Sequence, residues 1–256
     1  MQVASKRIQA NFGKAAATYD AQAHFQHVET RRVLDGALML LPEKATIADI
    51  GCGTGYFAHA AAAQRPQWRI LGLDIAPGMC AVASTRCQAI AADAAQLPLA
   101  TASVDAAVSS LCYQWVENQD AAFSELARVL KPGGRAIIAS LGEQSLRELR
   151  ESSAEAQLPL SLLPMRDAET TASSLESAGF TITFAQRRVV EEYYPNVAAL
   201  LESMRGIGAG NNFSNAARTF VSPKRWAAMV RQYETRRTSQ GIPATWEHHF
   251  FILRKG

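Results

Sequence analysis

Between Ala45 and Ser140 the chain alternates two rhythms. Short apolar runs, ATIAD, WRILGLD, the stretch ending at Asp93, VDAAVS and RAIIAS, stop at an acid or a small polar residue. Between them apolar residues return at three- and four-residue spacing, as Phe123, Leu126 and Leu130 do. Continuous apolar runs suit strands buried on both faces, and their alternation with helical stretches predicts βαβ units around a parallel sheet. Asp120 is the expected N-cap of the Phe123 helix, and Lys131-Pro132-Gly133-Gly134 is expected to end it and turn into the fifth strand.

The flanks read differently. Val28, Val33, Leu34, Leu38 and Leu41 hold helical spacing, so residues 1–40 predict a helical cap: a short element around Phe12 to Asp20, then a helix through Leu40, with Tyr19 between them. After Ser140, EQSLRELRESSAEAQ predicts an exposed helix, and Ser173 to Ala178 the end of another stopped by Gly179. Phe180 to Val190 and Thr245 to Leu253 predict two closing strands, with His248 and His249 on opposite faces of the last. Residues 191–243 between them exceed what a hairpin needs. Asn196 caps one predicted helix with Val197, Leu200, Leu201 and Met204 on a single face; Ser222-Pro223 opens a second with Trp226, Met229, Val230 and Tyr233 inward. The expectation is a lid over the strand ends with its basic side outward. The whole, residues 1–256, reads as one α/β domain with a Rossmann-like, seven-stranded, mostly parallel sheet whose last strand is antiparallel.

Composition narrows this little. At 256 residues, 48% hydrophobic and 19% charged, the chain is an ordinary globular one. No apolar run approaches a membrane span, and the N-terminus lacks an apolar signal core, so a cytoplasmic protein is expected. Cys52, Cys80, Cys87 and Cys112 form no C-x-x-C pair, and the five histidines are not at ligand spacing with carboxylates, so no metal is expected. Charge is uneven: the net +3 divides into −3 over residues 1–186 and +6 from Arg187 onward, which suggests an acidic partner for the C-terminal part.

The candidate chemistry lies in ATIADIGCGTGY. Gly51, Gly53 and Gly55 follow Asp49 at alternate positions, the form of a strand entering a glycine turn that opens a helix, where backbone can approach a ligand. The dinucleotide spacing would put its third glycine at 56, which is Tyr56. Asp74 follows about 20 residues on, placed to grip a ribose diol, and Asp93 closes the next run. The Asp-x-Gly-x-Gly-x-Gly pattern resembles motif I of the class I, S-adenosylmethionine-dependent methyltransferases. FGKAAATYDAQAHFQ, LCYQW, SLGEQSLRELR, RGIGAGNNF and GIPATWEHHFFILRK, in that order, are similar to the malonyl-acyl-carrier-protein O-methyltransferases of biotin synthesis, over nearly the whole chain.

That resemblance implies methyl transfer from S-adenosyl-L-methionine, leaving S-adenosyl-L-homocysteine, to the free carboxylate of malonyl-acyl carrier protein. It implies no metal, no nucleic acid and no membrane. It implies a cofactor site from Asp49, Gly51, Gly53, Gly55, Asp74, Ile75, Asp93 (to the adenine amino group), Ala94, Ser110 and Gln114. Tyr19 becomes a candidate donor aiming the carboxylate, and Arg147 its candidate partner. Acyl carrier proteins are acidic, so Lys224, Arg225, Arg231, Arg236 and Arg237 become candidates for the docking surface. One departure stands out: Leu158 to Met165 reads LPLSLLPM where many members carry a His-Val-Asn-like stretch, so no substrate role carries over to it. Two rival readings stay open: a methyltransferase for a quinone precursor or a small free acid, and a cofactor-binding protein without catalysis.

Overall fold

The computed structural model describes residues 3–158, 164–209 and 222–256. Part of the insertion (210–221), which includes the end of RGIGAGNNF, and most of the divergent LPLSLLPM stretch (159–163) lie outside the described residues.

Seven strands form one sheet: β1 (Thr46–Ile50), β2 (Arg69–Asp74), β3 (Gln88–Ala91), β4 (Val104–Ser110), β5 (Leu130–Leu141), β6 (Phe180–Tyr194) and β7 (Ile242–Lys255). Their order is β3-β2-β1-β4-β5-β7-β6. The pairs from β3 across to β5 are parallel, and β7 runs antiparallel to both its neighbours. The period of two along the strands feeds two cores. Ile137 and Phe250 join Val33, Leu34, Phe57 and Val108 on one side; Ile138 and Phe251 join Leu73, Phe123, Leu126 and Leu175 on the other. Chain direction in the order reverses between β1 and β4, so the loops after these two strands diverge and leave a crevice at the sheet's C-terminal edge.

Over that edge sit α1 (Val3–Ala15) and the single turn α2 (Tyr19–Gln22), while α3 (His24–Leu40) packs on the face of the sheet against β4 and β5. Tyr19 thus begins a helical turn of its own. From the other side come α9 (Val197–Gly206) and α10 (Pro223–Glu234), both between β6 and β7. Asn196 caps α9 by accepting from Ala199 N at 2.9 Å. The two caps meet: a side chain at Gly206 would collide with the Gln22 amide of α2. Leu200, Leu201, Met204, Met229 and Tyr233 bury their faces with Leu149, Leu146 and Trp246, forming a third core under the insertion.

Between these lie α4 (Tyr56–Ala61), α5 (Pro77–Ala83), α6 (Gln119–Val129), α7 (Arg147–Glu155) and α8 (Ala168–Ser177). Two local expectations need correction. The N-cap of α6 is Asn118, whose side chain accepts from Ala121 N; Asp120 lies inside the first turn and pairs with Arg166 at 2.7 Å. The Lys131-Pro132-Gly133-Gly134 turn lies within β5 as an irregularity, since Val104 pairs with Leu130 but Ala106 pairs with Arg135. Both closing strands also run longer than expected, because each continues past its alternating stretch to pair along the whole of the other.

Candidate functional site

The three glycines all take left-handed φ, 74° at Gly51, 54° at Gly53 and 81° at Gly55, for three different reasons. A Cβ on Gly51 would run into Cys112 Sγ at 2.5 Å. One on Gly55 would lie 3.2 Å from the Ala83 backbone, so this glycine lets α4 pack on α5 and is corrected from ligand contact to packing contact. One on Gly53 would meet nothing within 4 Å, because it would project into a cavity of about 300 Å³. Gly51, Gly53, Asp74, Ile75, Asp93, Ala94 and Ser110 line that cavity, together with Tyr19 and Phe12 from the N-terminal cap. The ends of β1 to β4 therefore converge as the strand-end pattern implied.

Asp74 is more than a wall. Its two carboxylate oxygens accept from Gly53 N at 2.9 Å and Ala76 N at 2.8 Å, which ties the glycine loop to the next turn. Burial nevertheless raises its pKa, those two hydrogen bonds opposing the rise. Asp49 is not a wall residue. It is buried beneath the loop, its Oδ2 has no hydrogen-bond partner among the described residues, and burial, reinforced by the charge of Asp74, pushes its pKa up to about 7. A carboxyl raised this way binds its proton more tightly folded than unfolded. Its favourable contribution is complete below the unfolded value of about 4 and is lost as pH rises through about 7. Asp49→Asn should therefore flatten the pH dependence of the ligand-free melting temperature between pH 5 and pH 8. The gain at pH 8 should be about 2–4 °C for each kcal/mol recovered. Equal slopes for wild type and variant in a thermal scan would remove Asp49 as the source.

A second cavity of about 240 Å³ adjoins the first. Phe12, Tyr19, Leu111 and Trp115 line both and so form the wall between them. Phe12 meets Trp115 edge to face at 5.4 Å, and Leu111 holds φ 55°, a strained value for a branched side chain at the end of a strand. Beyond the wall the lining is largely apolar: Phe25, Leu141, Leu146, Met165, Met204, Ile207 and Trp246, with Ser145, Arg150 and Glu192 among the polar exceptions.

Two more expectations are corrected here. Gln114 faces the second cavity and does not line the first; its side-chain nitrogen donates to Leu111 O at 2.9 Å and its buried Oε1 has no partner among the described residues. Arg147 lines neither cavity. Its guanidinium lies on the surface, 3.1 Å from Glu148 and 3.4 Å from Glu191. The arginine on the cavity wall is Arg150, one turn further along α7. Tyr19 does occupy the junction. Burial, then the charges of Asp74 and Asp20, hold its hydroxyl well above the usual tyrosine range, so it remains a protonated donor.

The pattern of runs also missed what fastens the cap. Asp20 accepts from Thr54 Oγ1 at 2.6 Å, in the glycine loop, and from Arg86 at 2.8 Å, just past α5. Burial works against its ionisation, but those bonds outweigh it and hold its carboxyl below the usual range. His27 lies 3.5 Å from Asp20 and stacks on Tyr56 at 3.7 Å. The available signal was an acid directly beside Tyr19; its partners are far off in sequence. Among the described residues, no group of three or more His, Cys, Asp or Glu could hold a metal ion, and no helix is long and apolar enough to cross a membrane.

Residues 48–138 match the family model described as a methyltransferase domain. The chain is 30% identical over 253 residues to a malonyl-acyl-carrier-protein O-methyltransferase of Methylovorus sp., covering 94% of this chain and 86% of that protein. It is 35% identical over 264 residues to the biotin biosynthesis bifunctional protein BioHC of Saccharophagus degradans, covering 97% of this chain but 46% of that one; the chain spans about half the length of such bifunctional relatives. In fold it is similar to a crystallised Bacillus halodurans protein named as a methyltransferase, with a TM-score of 0.64 at 16% identity, covering 89% of this chain and 99% of the other.

Proposed function

The chain belongs to the malonyl-acyl-carrier-protein O-methyltransferases, and from that premise we propose that it methylates the free carboxylate of a malonyl group carried as a thioester on acyl carrier protein. The observation that carries this reading is the pair of cavities divided only by Phe12, Tyr19, Leu111 and Trp115. One is built from backbone and acids at the strand ends; the other is mostly apolar with an arginine in its wall.

The first cavity suits S-adenosylmethionine. The open space at Gly53 is a cradle that any side chain would fill, and the Asp49 carboxyl buried beneath the loop, its Oδ2 without a partner among the described residues, would ionise more readily with a cationic ligand above it. Gly51, Gly53, Asp74, Ile75, Asp93, Ala94 and Ser110 would hold it, Asp74 keeping spare lone pairs for a ribose diol beyond its two backbone bonds. When bound, this cofactor would supply an electrophilic sulfonium methyl for a carboxylate oxygen to take up, with the thioether as the neutral leaving group.

A carboxylate is already ionised at neutral pH, so this protein needs no general base. Its work is to place the nucleophile and exclude water. The apolar second cavity and the cap latched through Asp20, Thr54 and Arg86 do the excluding. Tyr19, protonated and at the junction, does part of the placing. Tyr19→Phe should lower turnover about tenfold, the size of one weak hydrogen bond, with cofactor affinity nearly unchanged; full turnover at saturating substrate would make Tyr19 a packing residue. The direct test of the function is incubation with methyl-labelled cofactor and, separately, malonyl-acyl carrier protein, a short malonyl thioester and free malonate. Label should enter the two thioesters, the carrier-borne one fastest. Label in none of them would end this reading.

A further inference from the structure

Arginines on α7, on β6 and just past α10 are neutralised by carboxylates. Arg147 pairs with Glu148 and Glu191, Arg187 with Glu247, Arg188 with Glu29, Arg236 with Glu151 and Arg237 with Glu234. Arg150 is different. It lines the cavity beside Ser145 and Leu146, half-buried, and among the described residues no carboxylate lies within ion-pair distance of it. Its contacts are neutral: Nη2 donates to the carbonyls of Glu143, at 2.5 Å, and Ser145. These two bonds fix the guanidinium against the loop after β5. They leave Nε and Nη1 without a partner among the described residues.

The acids nearby are engaged elsewhere. Glu148 is buried and accepts from Thr245 N at 2.9 Å and from the Thr245 hydroxyl. Glu247 takes Gln144 N, Arg187 and His249. Glu192, also on the wall, accepts from Tyr194 Oη at 2.9 Å. Burial consequently lowers the pKa of Arg150, with only the charge of Glu143 opposing it. An arginine held by carbonyls, deprived of a counter-ion and turned to an apolar cavity, is a receptor for a carboxylate.

Building on the proposed function, we infer that Arg150 is the positioning residue that holds the free carboxylate of the acyl group, and so makes the second cavity select acid-ended thioesters over plain acyl thioesters. A carboxylate offers about four lone-pair sites, so two guanidinium N–H bonds leave oxygen lone pairs free to attack the methyl. Selectivity follows from the same arrangement. An acetyl thioester filling the cavity would leave the guanidinium without an anion in a desolvated place, which costs more than an absent contact.

The test uses the full chain saturated with S-adenosylhomocysteine, with malonyl-pantetheine and acetyl-pantetheine as calorimetric probes. Wild type should bind the malonyl probe at least about tenfold more tightly. Arg150→Gln should weaken the malonyl probe about 10- to 100-fold, the range for a hydrogen bond to a charged group, and leave the acetyl probe and the homocysteine affinity as they were. Arg150→Lys, which keeps charge but loses the fork, should recover part of the preference. No preference in wild type, a preference that survives Arg150→Gln, or equal weakening of both probes would overturn the assignment, the last making Arg150 a brace for the loop after β5. The two proposals separate cleanly. If the Arg150-dependent preference holds but wild type methylates no malonyl thioester, the activity falls and the carboxylate site stands. If malonyl thioester is methylated with the same KM by Arg150→Gln, the activity stands and the site falls.

Discussion

Gly53→Val should abolish cofactor binding while the protein stays folded. The residue sits at φ 54°, which a β-branched side chain adopts at a cost of about 1–3 kcal/mol, within what a domain of this size tolerates. Nothing in the protein lies within 4 Å of the added Cβ, so the strain is not compounded by a clash. The two valine methyls instead enter the first cavity beside Asp74 and Ile75, where the cofactor would lie. Calorimetry with S-adenosylhomocysteine should show a loss of at least about 100-fold, and circular dichroism a native spectrum. Gly55→Val is the matched control, because its Cβ strikes the Ala83 backbone and should unseat α4 from α5. Near-normal affinity in Gly53→Val would mean that the cofactor does not lie over the glycine loop.

The contrast between these glycines shows what the sequence could and could not convey. The alternation of apolar runs and helical stretches was sufficient for the sheet, because parallel strands buried on both faces and their crossover helices follow from local pattern. Asp74, Asp93 and Ser110 were legible as wall residues because strand ends in such a sheet share one edge. Which glycine faces open space and which faces packed backbone was not legible, since Gly55 is set against Ala83, distant in sequence, while Gly53 meets nothing. That Arg147 would lie outside both cavities was not legible for a geometric reason. Leu146 precedes α7 with φ 60°, so the helix starts from a left-handed residue whose placement sets the phase of all that follow, and no side-chain pattern in LRELR announces it. That Gln114 lines the second cavity was not legible, because it lies in a single 3₁₀ turn, Tyr113–Trp115, too short to have a period. The Asp20 latch joins positions 20, 54 and 86, and only the folded chain brings them together.

The insertion's charge yields the other large expectation. Of the five basic residues considered for docking, two are committed within the fold. Arg236 lies 3.0 Å from Glu151 and 3.9 Å from Glu155 of α7, and Arg237 binds Glu234 and the Pro195 carbonyl. Lys224, Arg225 and Arg231 are exposed on α10, away from the buried Met229 and Tyr233, and have no ion pair with a described residue. We propose these three as the contact for acidic acyl carrier protein. Exposed pairs contribute only about 0–1 kcal/mol each, so single changes should be nearly silent. Reversing all three to Glu replaces three attractions by three repulsions and should raise KM for malonyl-acyl carrier protein about tenfold or more. Because Arg150 and the cavity walls are untouched, kcat/KM for malonyl-pantetheine should not change. Raising salt should weaken wild-type activity on the carrier-borne substrate but not on the short one, since exposed charges are screened over about 8–10 Å. Parallel loss of both activities would mean that α10's charges support the insertion's seat on α7. Retention of both would move docking off α10, and the exposed Lys6 and Arg7 of α1 would be the next surface to reverse, because Arg31 and Arg32 are already held by Tyr56 and Glu29.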